Sequence, residues 1–261
     1  MEEILVSIDL QKVEIHPTGA TPLYSSDNHT IYWVGITEES AFRCNVYLIA
    51  DGDEWILVDP GSRAHFQQVK ERISTLVAPE KITGAIVCHQ DPDVAASLQD
   101  WLVLNPAMKV YTTPRTHVLL PYYGIEYDYV DVEENSTLLL PSGATLEFIA
   151  APFLHFPGAF TTYDRATQAL FSGDIWAALD SDWSLVVEDF DAHRESMDLF
   201  HMDYMASNVA CRGYVNQLDG VPIDAILPQH GSIIAANFVQ QGLDYLKNVR
   251  CGTDLTYPEF L

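Results

Sequence analysis

The stretch Cys88-His89-Gln90-Asp91-Pro92-Asp93 (CHQDPD, residues 88–93) decides how this chain is read. It follows the apolar run Gly84-Ala85-Ile86-Val87 and leads into Val94-Ala95-Ala96-Ser97-Leu98. A short apolar run fits a buried strand, so an imidazole and two carboxylates alternate where that strand ends. Two readings are open. In one, this is an ordinary polar loop with Asp93 as a helix N-cap, a position that favours aspartate. In the other, His89, Asp91 and Asp93 form half of a metal site, converged by a turn that Pro92 stiffens through its fixed φ.

Working outward, the chain alternates strands and helices. Residues 31–34 read as a strand. Segments 45–49 and 55–58 flank Asp51-Gly52-Asp53, a hairpin signal. A helix is expected over 65–76, where Phe66, Val69, Ile73 and Leu76 keep three- and four-residue steps. The strand 85–88 follows, then a helix over 94–104 and a strand over 109–112. Residues 127–172 look β-rich, with strands at 128–132, 136–140, 145–149 and 168–171. One long helix is expected over 192–215, with Met197, Phe200, His201, Tyr204, Met205 and Val209 on one face. A strand at 225–227 and a helix over 233–249 complete the order. Strands followed by helices, twice over, predict an α/β fold built as a sandwich of two sheets with helices on the outside. No Pro-, Gly- or Ser-rich linker divides the 261 residues, so one domain is expected.

The bulk charge narrows the function. Thirty-seven acidic residues against 13 Lys and Arg give a net charge of −24. Binding to nucleic acid or to an anionic membrane needs a basic face, so neither is expected as a partner. The opening Met1-Glu2-Glu3 does not resemble an export signal, and no apolar run is long enough to span a bilayer. A cytoplasmic protein is the expectation. Cys44, Cys88, Cys211 and Cys251 are widely spaced, which excludes a zinc ribbon and fits free thiols.

Three more polar residues end apolar runs, namely His155 after 148–154, Asp174 after 169–173 and His230 after 223–229. Each alone is more often structural. Together with CHQDPD they make a constellation, because strand-end loops on one edge of a sandwich are where sites are built. Three His and three Asp supply more oxygen than nitrogen donors, which favours iron or manganese over zinc.

At this point the residues resemble the metallo-β-lactamase fold, through HxDxD, a lone His, Gly-Asp and a final His-Gly. Val58-Asp59-Pro60-Gly61 matches the early aspartate turn of that fold. The chain is more closely similar to the diiron domain of flavodiiron proteins, through His155-Phe156-Pro157-Gly158, Thr162-Tyr163-Asp164, Leu170-Phe171-Ser172-Gly173-Asp174, residues 202–208 and Pro228-Gln229-His230-Gly231-Ser232. The likeness covers roughly residues 10 to 250. It implies an αββα sandwich of two mixed sheets. It also implies that His89, Asp91 and His155 bind one iron, that Asp93 and His230 bind the other, and that Asp174 bridges them, with Mn or Zn as alternative metals. Tyr204, the catalytic candidate, would approach the site from its helix, the alternative being plain packing in the core.

Two positions depart from the family pattern. Asp91 stands where Glu is common, and Val94 stands where a His often binds the second metal, which would leave an open position there. The flavodoxin domain that follows the diiron domain in that family is not matched either. Thirty residues follow Gly231, without a glycine-rich phosphate loop, so no intrinsic FMN is expected. The resemblance then implies an O2-binding, or NO-binding, diiron carrier or sensor that draws any electrons from a redox or signalling partner. An O2 or NO reductase fed in trans by a flavoprotein or rubredoxin is the alternative, and a dinuclear metal hydrolase is the next. A homodimer is a weak expectation of the family. His193 and His201 read as helix residues, while His16, His29, His65 and His117 match no motif.

Overall fold

In the computed structural model, which describes residues 10–38 and 40–260, two mixed sheets face each other. The first holds β1 (Thr21–Ser25), β2 (His29–Trp33), β3 (Tyr47–Asp51), β4 (Glu54–Val58), β5 (Gly84–Ile86), β6 (Lys109–Thr112) and β7 (Asp128–Asp131), in that spatial order. β1 to β4 pair antiparallel and β4 to β7 pair parallel. The second holds β8 (Thr137–Leu139), β9 (Thr145–Ala150), β10 (Phe160–Asp164) and β11 (Ala169–Gly173), all antiparallel, then β12 (Ala225–Pro228) parallel to β11 and β13 (Ile234–Ala235) on its far side.

Side-chain alternation along the strands decides the layers. In β4, Ile56 and Val58 face the second sheet, where they join Phe148, Phe160 and Phe171, while Leu57 faces outward. Outside the first sheet lie α1 (Phe66–Ser74), α2 (Pro92–Ala95) and α3 (Leu98–Leu104), which pack Val69, Ile73, Val94 and Trp101 against Leu57, Ala85 and Val87. Outside the second sheet lie α5 (Phe190–Tyr204), α6 (Asn208–Gln217) and α7 (Ala236–Asn248), whose Met197, Tyr214 and Leu246 meet Leu170 and Ile226. A short α4 (Pro114–His117) follows β6. The result is the expected helix–sheet–sheet–helix sandwich. No helix among the described residues is long and apolar enough to cross a membrane.

The structure corrects the helix boundaries. The helix expected over 94–104 is two pieces, because the Ser97 N–H bonds the Gly61 carbonyl and its hydroxyl bonds the Pro60 carbonyl. The long helix expected over 192–215 breaks after Tyr204. Met205 is extended, Ala206 donates to the Phe153 carbonyl, and the Ser207 hydroxyl accepts from Ala210 N–H as the N-cap of α6. The chain turns there, so Tyr204 and Val209 are exposed, while Met197, Phe200, His201 and Met205 are buried. Residues 234–235 form β13, not the start of the last helix. The strands β1 and β10 were not foreseen.

Candidate metal centre

The site gathers at one end of the two sheets, where β5, β9, β11 and β12 release their loops. Asp59, in the tight turn after β4, accepts from the Cys88 backbone N–H at 2.9 Å and so fixes the end of β5 just before His89. Pro92 then opens α2, where its missing N–H costs nothing. Asp91, not Asp93, occupies the N-cap position, and its carboxylate makes no capping bond. Asp93 lies inside the first turn. Neither carboxylate does the work of a cap, and both turn toward histidines from other loops.

Two carboxylate–histidine groups result, and Asp174 reaches both. Its Oδ2 lies 3.1 Å from His89 Nε2 and 3.0 Å from His155 Nε2. Asp91 Oδ2 closes this first group, at 3.7 Å from His89 Nε2 and 3.4 Å from His155 Nε2. The other oxygen, Asp174 Oδ1, lies 3.7 Å from His230 Nε2, which is itself 2.9 Å from Asp93 Oδ2. Thus the six residues singled out in the sequence meet, and the bridging place falls to Asp174. The back of the site, formed by His89, Asp174 and His230, is buried, while Asp91, Asp93 and His155 are partly exposed and leave a mouth.

Burial alone would lower the imidazole pKa values, but the carboxylates outweigh it. Asp174 and Asp91 push His155 up to about 9. Asp93, with Cys44 and Asp174, pushes His230 up to about 10. His89 is raised well above its ordinary value, chiefly by Asp174. Asp174 is held well below the usual carboxylate range by His89 and His155 despite its burial, and His155 and His89 lower Asp91 as well. A cation bound here must displace the imidazole protons.

These residues fit a pair of metal ions. His89 Nε2 and His230 Nε2 are buried and meet carboxylate oxygens at ion-pair distance without hydrogen-bond geometry, and Asp174 Oδ1 is buried without a donor, although buried polar atoms are nearly always satisfied. Each points at the common centre. Their rear atoms are engaged, as metal-binding histidines require. His230 Nδ1 donates to the Arg43 carbonyl at 3.0 Å, and His89 Nδ1 lies 3.0 Å from Cys88 Sγ.

Gly173 lets the two sheets close on the site. Its φ is +55°, and a Cβ there would sit 2.7 Å from Cys88 Sγ. Gly173→Ala is expected to cost about 1–2 kcal/mol for the left-handed backbone alone, and to weaken metal binding by pressing on the Cys88–His89 pair. Cys88→Ala in the same chain should restore part of the metal affinity and none of the backbone cost. Thermal unfolding and metal titration of the single and double variants check this.

Phe42 and Cys44 carried no sequence signal, whereas Tyr204 was expected near the site. Phe42 lies 4.1 Å from His230, centroid to centroid. Phe200 stacks flat on Tyr204 at 4.5 Å and meets His155 and His230 at 6.2 Å each. Tyr204 approaches His155 edge-on at 5.8 Å and is 49% exposed. Cys44, from a segment without any motif, forms a ligand-competent group with Asp93 and His230, parallel to the group of His89, His155 and Asp174. His201 stands apart, donating from Nδ1 to the Met197 carbonyl and accepting the Trp176 N–H at Nε2. Burial lowers His201 and His193 to about 4 each, so both are neutral structural groups.

Comparison with known proteins agrees with this fold. A family model described as ODP family beta lactamase matches residues 42–231. The structure is similar to that of a peroxy diiron species of the chemotaxis sensor ODP, with a TM-score of 0.82 and 33% identity over 92% of this chain and 99% of that one. It is equally similar to the apo state of the chemotaxis sensor ODP from T. denticola, with a TM-score of 0.83 and 33% identity over 92% and 98% of the two chains. Among curated sequences, diflavin flavoprotein A 1 of Synechocystis sp. is 34% identical over 133 residues, 51% of this chain and 23% of that protein. The matches to the first four such relatives span only 23% to 35% of their length. On the extent of the family match, the chain belongs to the ODP family of β-lactamase-fold proteins.

Proposed function

We propose that this chain is a non-haem diiron protein that binds O2, with NO as an alternative small ligand, and acts as an oxygen sensor. The observation that carries the reading is Asp174, which offers one oxygen to His89 and His155 and the other to His230. His89, His155 and Asp91 would hold one iron, Asp93 and His230 the other, and Asp174 both. When bound, two ferrous ions supply the electrons with which O2 is taken up. The chain's own residues do the rest. The buried imidazoles and Asp174 would hold the ions from the inner side, and Phe42 and Tyr204 present aromatic surface beside the site, with the buried Phe200 packed behind Tyr204. The likeness to a diiron chemotaxis sensor supports sensing over transport. A signalling partner would read the state of the site, and any turnover would draw electrons from a redox partner.

Iron-loaded protein prepared without air is expected to gain a lasting visible absorption band on one addition of O2. No spectral change, with iron readily displaced by zinc, would sink the reading. Consumption of O2 over many turnovers with an artificial donor would instead favour a reductase.

A further inference from the structure

We infer that the Cys44 thiolate is a direct ligand of the second metal ion, beside Asp93 and His230. This rests on the proposed metal centre and adds a donor that its sequence pattern does not contain. The second ion is the poorer of the two in recognised ligands. Position 94, where the resemblance leads one to expect a histidine, is a valine buried in the apolar layer with Leu48, Leu57 and Val87. No donor can come from there.

A donor comes instead from the segment before β3. One ligand atom from each of Cys44, Asp93 and His230 lies within 4.8 Å of the other two. Donors about 2.0–2.3 Å from a shared metal ion fall within that spacing of one another. The placement is built rather than incidental. Residues 43–45 are laced to the loop that carries His230, since the Asn45 backbone N–H donates to the Gln229 carbonyl at 2.6 Å. The Asn45 side-chain amide donates to the Pro228 and Gly231 carbonyls at 2.9 and 2.8 Å, and Cys44 pairs with His230 as an isolated antiparallel bridge. The Arg43 carbonyl takes the rear proton of His230, which turns Nε2 toward the site. One short segment thus orients His230 and presents a sulfur beside it.

A buried cysteine often packs as a small apolar side chain. Cys44 faces something different. The buried Asp174 Oδ1 has no hydrogen-bond donor and lies 3.7 Å from the buried His230 Nε2, which meets Asp93 at ion-pair distance without hydrogen-bond geometry. The four cysteines are all unpaired, so the Cys44 sulfur is not committed to a disulfide. On binding, the thiol gives up its proton to solvent and the sulfur lone pair forms the metal bond, with no change in oxidation state. A soft sulfur donor favours iron, cobalt or zinc over manganese at this position, so the two ions would differ in preference.

The test is an anaerobic titration of metal-free protein with Co(II). The expected result is binding of two ions, with a near-ultraviolet sulfur-to-cobalt charge-transfer band. That band should persist in Cys88→Ser, which alters the other thiol near the site, and disappear in Cys44→Ser while the weaker ligand-field bands remain. Two bound cobalt ions without the band, or a band that survives Cys44→Ser, would overturn the inference and leave the metal centre standing. Failure to bind cobalt at all would overturn both. Should Cys44→Ser not fold by circular dichroism, cadmium NMR of the wild-type protein decides, because one resonance must fall in the sulfur-ligated region and its absence refutes the assignment.

Discussion

Asp174→Ala is expected to empty the site of both metal ions, taking the chain from about two per molecule to essentially none. Among the described residues, no other is paired with histidines of both groups. Its Oδ2 is within 3.1 Å of two imidazoles, and its Oδ1 faces the third. Losing it removes a shared donor and the buried negative charge that offsets two cations. Asp174→Asn should fail nearly as badly, because the amide keeps the shape and loses the charge. Asp91→Ala is the informative contrast. Of the three histidines, Asp91 meets His89 and His155 and not His230, and it is partly exposed, so its loss should weaken the first ion and spare the second. Metal analysis after gel filtration of the three variants reads the difference. Retention of both ions by Asp174→Ala would show that the aspartate does not bridge.

The second large effect is on stability and lies outside the metal site. His29→Leu is expected to destabilise the fold by about 3–5 kcal/mol, the usual result of removing one partner from a buried ion pair. His29 Nδ1 lies 2.8 Å from Asp51 Oδ2 on the neighbouring β3, and Nε2 lies 2.7 Å from Asp164 Oδ2 at the end of β10. Both carboxylates are fully buried. The imidazolium therefore joins the first sheet to the second, and its removal leaves two buried carboxylates facing each other. Serine and threonine hydroxyls remain on them, from Ser142 to Asp51 and Thr167 to Asp164, which softens the loss without replacing the charge.

This clamp also sets a pH dependence. Burial alone would lower the His29 pKa, but Asp164 and then Asp51 outweigh burial and raise it. A raised folded pKa means that protonation stabilises the native state. The contribution is complete below the unfolded value of about 6.5 and fades as pH rises through the folded value. Urea unfolding of wild type and variant between mildly acidic and alkaline pH should show the gap narrowing as pH rises. A gap that widens would mean that His29 is neutral in the fold.

The residues of the candidate metal site were legible because each carries a local mark. His89, Asp91, Asp93, His155, Asp174 and His230 all follow a short apolar run, and strand ends are readable from the two-residue alternation and the turn residues that stop it. Most of the order of strands and helices, though not β1, β10 or β13, was legible for the same reason, and the resemblance to a known domain supplied which loops share an edge. The break after Tyr204 was not. The helical pattern continues across residues 205–207, and contacts from distant segments draw the chain out of register there: the Phe153 carbonyl takes the Ala206 N–H, and Thr253 donates to the Ala206 carbonyl.

What the sequence by itself determined is therefore the set of strand-end donors and the two-layer sandwich that holds them, since both follow from periodicity over a few neighbouring residues. Only the tertiary structure decided that Cys44 stands beside His230, that Arg43 orients it through a backbone carbonyl, and that the unassigned His29 ties the sheets together. Those contacts join residues separated by 135 positions or more, or in the case of Asp51 lie across a strand pair. No local pattern encodes them, because a backbone carbonyl is the same in every residue and a lone cysteine or histidine acquires its role from what the folded chain brings against it.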